Sequence, residues 1–121
     1  MSVSFDFGKE AEDFAVKYLI QNGYRILARN YFYRKAEIDI IAQLNNEIII
    51  VEVKSRTSNF FSEPEEAVKK KKKKLLIFAT DDFIQKNNFN CEVRFDILAL
   101  LKTKQSWSVN HIVNAFNASE I

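Results

Sequence analysis

The segment Glu37-Ile38-Asp39-Ile40-Ile41-Ala42, followed after Gln43-Leu44-Asn45-Asn46 by Glu47-Ile48-Ile49-Ile50-Val51-Glu52-Val53-Lys54, decides the fold class. Two β-branched runs, Ile38 to Ala42 and Ile48 to Val53, flank a polar Asn-Asn pair, which predicts a β-hairpin turning at Leu44–Glu47. The run Ile48-Ile49-Ile50-Val51 lacks alternation, as in a strand covered on both faces. Period-two alternation puts Glu37, Asp39 and Ile41 on one face of the first strand, with Ile38, Ile40 and Ala42 on the other. In the second strand Ile50, Glu52, Lys54 and Arg56 share a face. A two-residue turn then opposes Ile41 to Ile50, Asp39 to Glu52 and Glu37 to Lys54.

Opposed like charges destabilise a sheet, so Asp39 against Glu52 needs a positive charge between them. A divalent cation supplies it, and so does Lys54, roughly 7 Å along the strand from Glu52 on the same face. Two carboxylates suit Mg²⁺ or Mn²⁺, which prefer oxygen ligands, and an adjacent ammonium can order a water or meet a phosphate oxygen. These parts suit hydrolysis of a phosphodiester bond. The plain alternative is solvent-facing charge and weak ion pairing.

Outward from the hairpin, residues 9–21 read as a helix. Ala11, Phe14, Ala15, Tyr18 and Leu19 recur at helical spacing, and Asn22-Gly23 stops it. Glu12 lies at the margin of that apolar stripe, as an extra metal ligand or as a rim carboxylate paired with Arg29 or Arg56. Ile26 to Asn30 reads as a short strand. A loop is expected from Ser55 to Pro64, then a second helix from Pro64, with Ser62 as its cap and Glu65 and Glu66 at its positive end. The apolar period of that helix runs through Val68, Leu75, Leu76, Ala79 and Phe83. A strand at Glu92–Leu101 follows, then a short strand at Ser106–Val109 and a helical turn at His111–Phe116. This order of elements predicts an α/β sandwich around a mixed sheet, with residues 1–121 forming a single domain.

Six of the 13 lysines form the run Lys69 to Lys74. Helical geometry turns Lys72 inward and fans Lys69, Lys70, Lys71, Lys73 and Lys74 over the exposed arc. That arc is either a solubilising face or an electrostatic platform for a phosphate backbone. The net charge of +2 does not by itself call for nucleic acid. Arg29 and Tyr31–Lys35 form a second candidate nucleic-acid patch. One cysteine, Cys91, and one histidine, His111, exclude an internal disulfide framework and Cys- or His-rich metal sites, so carboxylates must supply most ligands for any metal. Cys91 and His111 are expected to pack, and Trp107 to join an aromatic core. With no basic-then-apolar leader and no apolar run of membrane-spanning length, a soluble cytoplasmic protein without membrane contact is expected. No glycine-rich phosphate loop or nucleophile elbow is present.

The residues resemble the YraN-type (UPF0102) family, whose members are similar to restriction-endonuclease-like nucleases and to archaeal Holliday-junction resolvases. The likeness rests on Gly8-Lys9-Glu10-Ala11-Glu12, Ala15, Tyr18-Leu19, Gly23-Tyr24 and Arg29-Asn30. It continues through Glu37-Ile38-Asp39-Ile40-Ile41, Val51-Glu52-Val53-Lys54-Ser55-Arg56, Glu66-Ala67-Val68, Arg94-Phe95-Asp96, His111-Ile112 and Asn114-Ala115-Phe116, with Lys72 at the family's basic position. Ala11, Ala36 and Ser62 stand where the family carries glycine. The resemblance implies a restriction-endonuclease-like sandwich and a nuclease-like triad of Asp39, Glu52 and Lys54, with Glu12 auxiliary. Asp39, Glu52 and Glu12 would be the ligands of Mg²⁺ or Mn²⁺. Arg56, Lys69, Lys70, Lys72, Lys73 and Lys74 would meet nucleic acid. The expectation is a metal-dependent endonuclease acting on DNA, branched DNA among the candidates, with a homodimer suiting a symmetric junction. The alternative is a non-catalytic nucleic-acid-binding or structural protein that keeps the fold.

Overall fold

A computed structural model describes residues 3–57 and 69–117, with side chains from residue 7 onward. Helix α1 (Val3–Gln21) is followed by strands β1 (Arg25–Tyr33), β2 (Ala36–Leu44) and β3 (Glu47–Arg56), helix α2 (Lys70–Asn87), and strands β4 (Glu92–Lys102) and β5 (Trp107–Phe116). The five strands lie in chain order in one sheet. β3 and β4 are parallel, joined by the segment containing α2, and the other pairs are antiparallel. No helix among the described residues is long and apolar enough to cross a membrane.

Each helix covers one face of the sheet. Ala11, Ala15 and Leu19 of α1, four residues apart, pack on Ile40, Ala42, Ile49, Val51, Leu98 and Leu100. Leu76, Ala79 and Phe83 of α2 pack on Ile38, Ile41, Ile48, Ile50, Phe95 and Ile97. Ile48 to Val51 therefore bury side chains on both faces, as the unbroken apolar run requires. The mixed sheet between two helices is the restriction-endonuclease-like sandwich that the resemblance implies. Ala11 and Ala36 are both buried in these cores.

Gly23, at φ +89°, ends α1; its amide donates to the Ile20 carbonyl and that of Tyr24 to the Leu19 carbonyl. The hairpin register agrees with the sequence, pairing Leu44 with Glu47 and Ile41 with Ile50. The alternation of β2 fails at one point, however. Ile38 belongs to the α2 side and Ile40 to the α1 side, so the expectation that they share a face is wrong. The cause lies opposite Asp39, where Asn30 of β1 adopts a left-handed conformation at φ 48° and both strands turn their side chains over.

Helix α2 starts later than expected. The loop proposed from Ser55 is strand as far as Arg56, while Ser62, Pro64, Glu65, Glu66 and Val68 lie outside the described residues. Lys69 is extended (φ −72°, ψ 158°), so the helix cannot run through it. Lys70, Lys71 and Lys72 then occupy the first turn with no acid there, against the helix dipole. Burial of Leu76, Ala79, Thr80 and Phe83 holds this helix instead. The predicted helical turn at His111–Phe116 is also corrected, because Trp107–Phe116 is one strand. Pairing of His111 with Leu98, Ile112 with Ile97 and Phe116 with Phe95 places Ile112 and Phe116 in the α2-side core. Tertiary burial overrides the local helical pattern there.

Candidate functional site

Three of the predicted residues converge where β2 and β3 part. Ladder pairing ends at Ile40 with Val51, and beyond it the Asp39 carboxylate accepts the Val53 amide at 2.8 Å. A side chain thus takes the place of a backbone carbonyl, and β2 diverges. The expected pairing of Glu37 with Lys54 is therefore absent; Glu37 accepts a hydrogen bond from Asn30 Nδ2 at 3.0 Å.

Glu52 is 1% exposed at the end of the apolar run of β3. Lys72 Nζ of α2 stands 2.7 Å from Glu52 Oε1 in an ion pair. A buried carboxylate beside a second acid suits a hard cation. Burial and the neighbouring Glu52 charge push the Asp39 carboxyl up to about 7, against the lowering effect of the Val53 amide and Lys72. Burial and the Lys72 charge lower the Lys54 ammonium, while Glu52 and Asp39 pull it back up. The Lys72 ammonium is raised despite its own burial, through its hydrogen bond and ion pair with Glu52.

Glu12 stands beside this cluster, engaged by Arg29 and Asn30. Its oxygens take Arg29 Nη2 at 3.5 Å and Asn30 Nδ2 at 3.3 Å, so the Arg29 alternative is the one observed. Burial and then the Asp39 charge raise its carboxyl, which places it within electrostatic reach of the site. Asn30 bridges Glu12 to Glu37. Among the described residues no group of three His, Cys, Asp or Glu side chains is gathered closely enough to hold a metal ion. Asp39 and Glu52 are the two acids in direct contact here, with Glu12 within electrostatic reach of Asp39.

Arg56, at the end of β3, donates from Nη1 to the Ser55 carbonyl at 2.9 Å. Lys69, Lys70, Lys71 and Lys74 are exposed, as expected. Lys73 is half-buried, with Nζ 5.0 Å from the Phe116 ring centre, which corrects its placement on the outer arc.

A second ionic cluster, which sequence reasoning did not assemble, lies on the α1 side. Asp96 is 1% exposed and takes Arg94 Nε at 2.9 Å, Arg94 Nη2 at 2.8 Å, His111 Nε2 at 2.7 Å and the Asn114 amide at 3.0 Å. Asn114, like Asn30, is left-handed (φ 54°) and lies across from an aspartate. Burial opposes ionisation of Asp96, but the His111, Arg94 and Asn114 hydrogen bonds prevail and hold its carboxyl below the usual value. Tyr18 and Tyr24 pack their rings on His111, which is the packing role expected of it. Trp107 joins Phe7 and Phe14 as expected. Cys91 is half-buried and reduced, its Sγ 3.6 Å from Asn46 Oδ1.

The sequence profile described as "Uncharacterised protein family UPF0102" matches residues 11–100, which includes Glu12, Asp39, Glu52, Lys54, Lys72 and Asp96. A UPF0102 protein of Flavobacterium psychrophilum is 43% identical over 111 residues, covering 92% of this chain and 93% of that protein. UPF0102 proteins of Clostridioides difficile and Persephonella marina are 45% identical over 112 residues and 43% identical over 111 residues. Those alignments cover 92% and 91% of this chain, and 94% and 92% of the respective relatives. Profile and relatives agree over nearly the whole chain, and the protein belongs to the UPF0102 family.

Proposed function

We propose that this protein binds nucleic acid on the lysine-bearing edge of a nuclease-like fold, and that Asp39, Glu52 and Lys54 form a divalent-metal site for phosphodiester cleavage. The observation that carries the proposal is Glu52, a buried carboxylate 2.7 Å from the Lys72 ammonium and beside Asp39, whose carboxyl burial and the Glu52 charge push up to about 7. Asp39 and Glu52 would hold Mg²⁺ or Mn²⁺, with phosphate oxygens and water completing the shell. When bound, the cation would acidify water and offset charge on the phosphate. Asp39 accepts the Val53 amide, and Lys54 would order the attacking water or meet developing negative charge. Lys72 pairs with Glu52 and would be free to meet a phosphate if that carboxylate held a cation.

One observation favours a second reading, binding without cleavage. Lys72 already supplies the positive charge that Asp39 and Glu52 require, and the described residues gather no third acid. Labelled duplex, single-stranded, flap and four-way DNAs incubated with Mg²⁺ or Mn²⁺ separate the two readings. Cleavage by the wild type that Glu52→Gln abolishes supports the metal-dependent nuclease. Binding without cleavage of any substrate by the wild type supports the second reading.

A further inference from the structure

The turn between β1 and β2 runs beside the first half of α2, and the space between them is a groove in two connected parts. Lys35, Lys69, Lys71 and Lys72 line a hollow of about 450 Å³ next to Glu37. Ala36 and Leu75 form the floor shared with a second hollow of about 410 Å³, which Tyr33, Phe78, Asp81 and Gln85 also line. Lys71, Leu75, Phe78 and Asp82 recur along one stripe of α2, so one helix face carries the groove from its cationic end to its aromatic end.

Phe78 is 59% exposed, an unusual position for a large ring on a helix that buries its opposite face. Across the groove, the Arg34 guanidinium lies 5.4 Å from the Tyr33 ring centre. The charges are divided. Four lysines face one acid at the first hollow, while Asp81, Asp82 and a single cation, Arg34, line the second, where Asp82 is engaged by Tyr31 and Lys86. An acidic peptide would suit the first hollow and be repelled at the second. A nucleotide suits both, because its phosphate is anionic and its base offers a flat face and amino or imino donors to carboxylates. The base must be unpaired to lie on a ring, since duplex stacking hides its faces.

We infer that this groove binds a single-stranded segment of nucleic acid, with phosphates on Lys35, Lys69 and Lys71 and a base stacked on Phe78. Lys72 lines the cationic hollow and also pairs with Glu52, so the strand would lead directly to the Asp39–Glu52 cluster. The inference rests on the nucleic-acid reading above and does not require cleavage.

Fluorescence anisotropy in EDTA, with a labelled single-stranded oligonucleotide and the matching duplex, tests it without chemistry. Phe78→Ala should weaken single-strand binding about tenfold and leave the duplex within about twofold, and Phe78→Trp should restore the single-strand affinity. The double variant Lys35→Gln, Lys71→Gln should flatten the single-strand salt dependence by about 1.4 in log–log slope. Single-strand affinity unaffected by Phe78→Ala, or an unchanged salt slope, overturns the groove and leaves the broader nucleic-acid reading intact. Wild type that binds neither probe overturns both. A dimer in sedimentation velocity that Phe78→Ala dissolves assigns the groove to a second copy of the chain and overturns the inference.

Discussion

Replacing Lys72 by methionine keeps the apolar stem over α2 and removes only the ammonium that faces Glu52. Loss of one partner from a buried ion pair costs about 3–5 kcal/mol, because the remaining charge is stranded. Glu52 meets the buried condition at 1% side-chain exposure, but Lys72 is 42% exposed. Water that reaches the vacated position will recover part of the loss, which brings the expected cost to about 2 kcal/mol. In a domain of this size that lowers the melting temperature by roughly 8 °C in EDTA. The same substitution removes the competitor for the carboxylate, so Mn²⁺ should bind more tightly to K72M than to the wild type. Binding to the folded state adds about 2.7 kcal/mol at a concentration 100-fold above the dissociation constant, enough to restore the variant. Thermal melts with and without Mn²⁺, paired with calorimetric titration, give both readouts. A K72M melting temperature within about 2 °C of wild type, together with an unchanged Mn²⁺ response, would refute the reasoning.

Further expectations concern neighbouring groups. K54A should lower single-turnover cleavage about a hundredfold while fold and DNA affinity persist, measured by quenched-flow kinetics beside circular dichroism; full cleavage by the folded variant removes Lys54 from the mechanism. Asp39 in the fold keeps a proton that the unfolded chain has already released, so in EDTA its contribution to stability is complete below about pH 4 and declines as pH rises toward about 7. Asp39→Asn should flatten the stability profile across that window in urea titrations, and an equal slope in both proteins would contradict the assignment. Asp96→Asn leaves the Arg94 guanidinium with only Glu47 at 3.6 Å and the Tyr24 hydroxyl, and should cost about 3 kcal/mol by denaturant unfolding, with no effect on Mn²⁺ affinity.

How much of this was legible in the sequence depends on the range of the interaction. The hairpin could be read because Asn45-Asn46 sets the turn and the isoleucine runs set the register, both local features. The side-chain reversal at Ile38–Ile40 could not, because its cause is Asn30 on the adjacent strand, nine residues from Asp39 in sequence. A left-handed asparagine leaves only a weak mark in a sequence, since asparagine is common in ordinary turns. The strand character of His111–Phe116 is not local, because only pairing with β4 makes Ile112 and Phe116 core residues of a strand. Lys72 could be singled out from its five neighbours by helical phase. Its contact with Glu52 depends on how α2 docks on β3 and left no local trace. The Asp96 cluster was hidden for the same reason, as Tyr24, Arg94 and His111 come together only through the packing of α1, β4 and β5.

The central claim is that Asp39 and Glu52 share one divalent cation. Calorimetric titration of Mn²⁺ into the wild type, Asp39→Ala and Glu52→Ala, each saturated with an uncleaved oligonucleotide to supply phosphate oxygens, tests it most directly. The account predicts one Mn²⁺ per wild-type chain and loss of that site in both variants, with circular dichroism showing that each remains folded. Equal Mn²⁺ binding by all three folded proteins would contradict it.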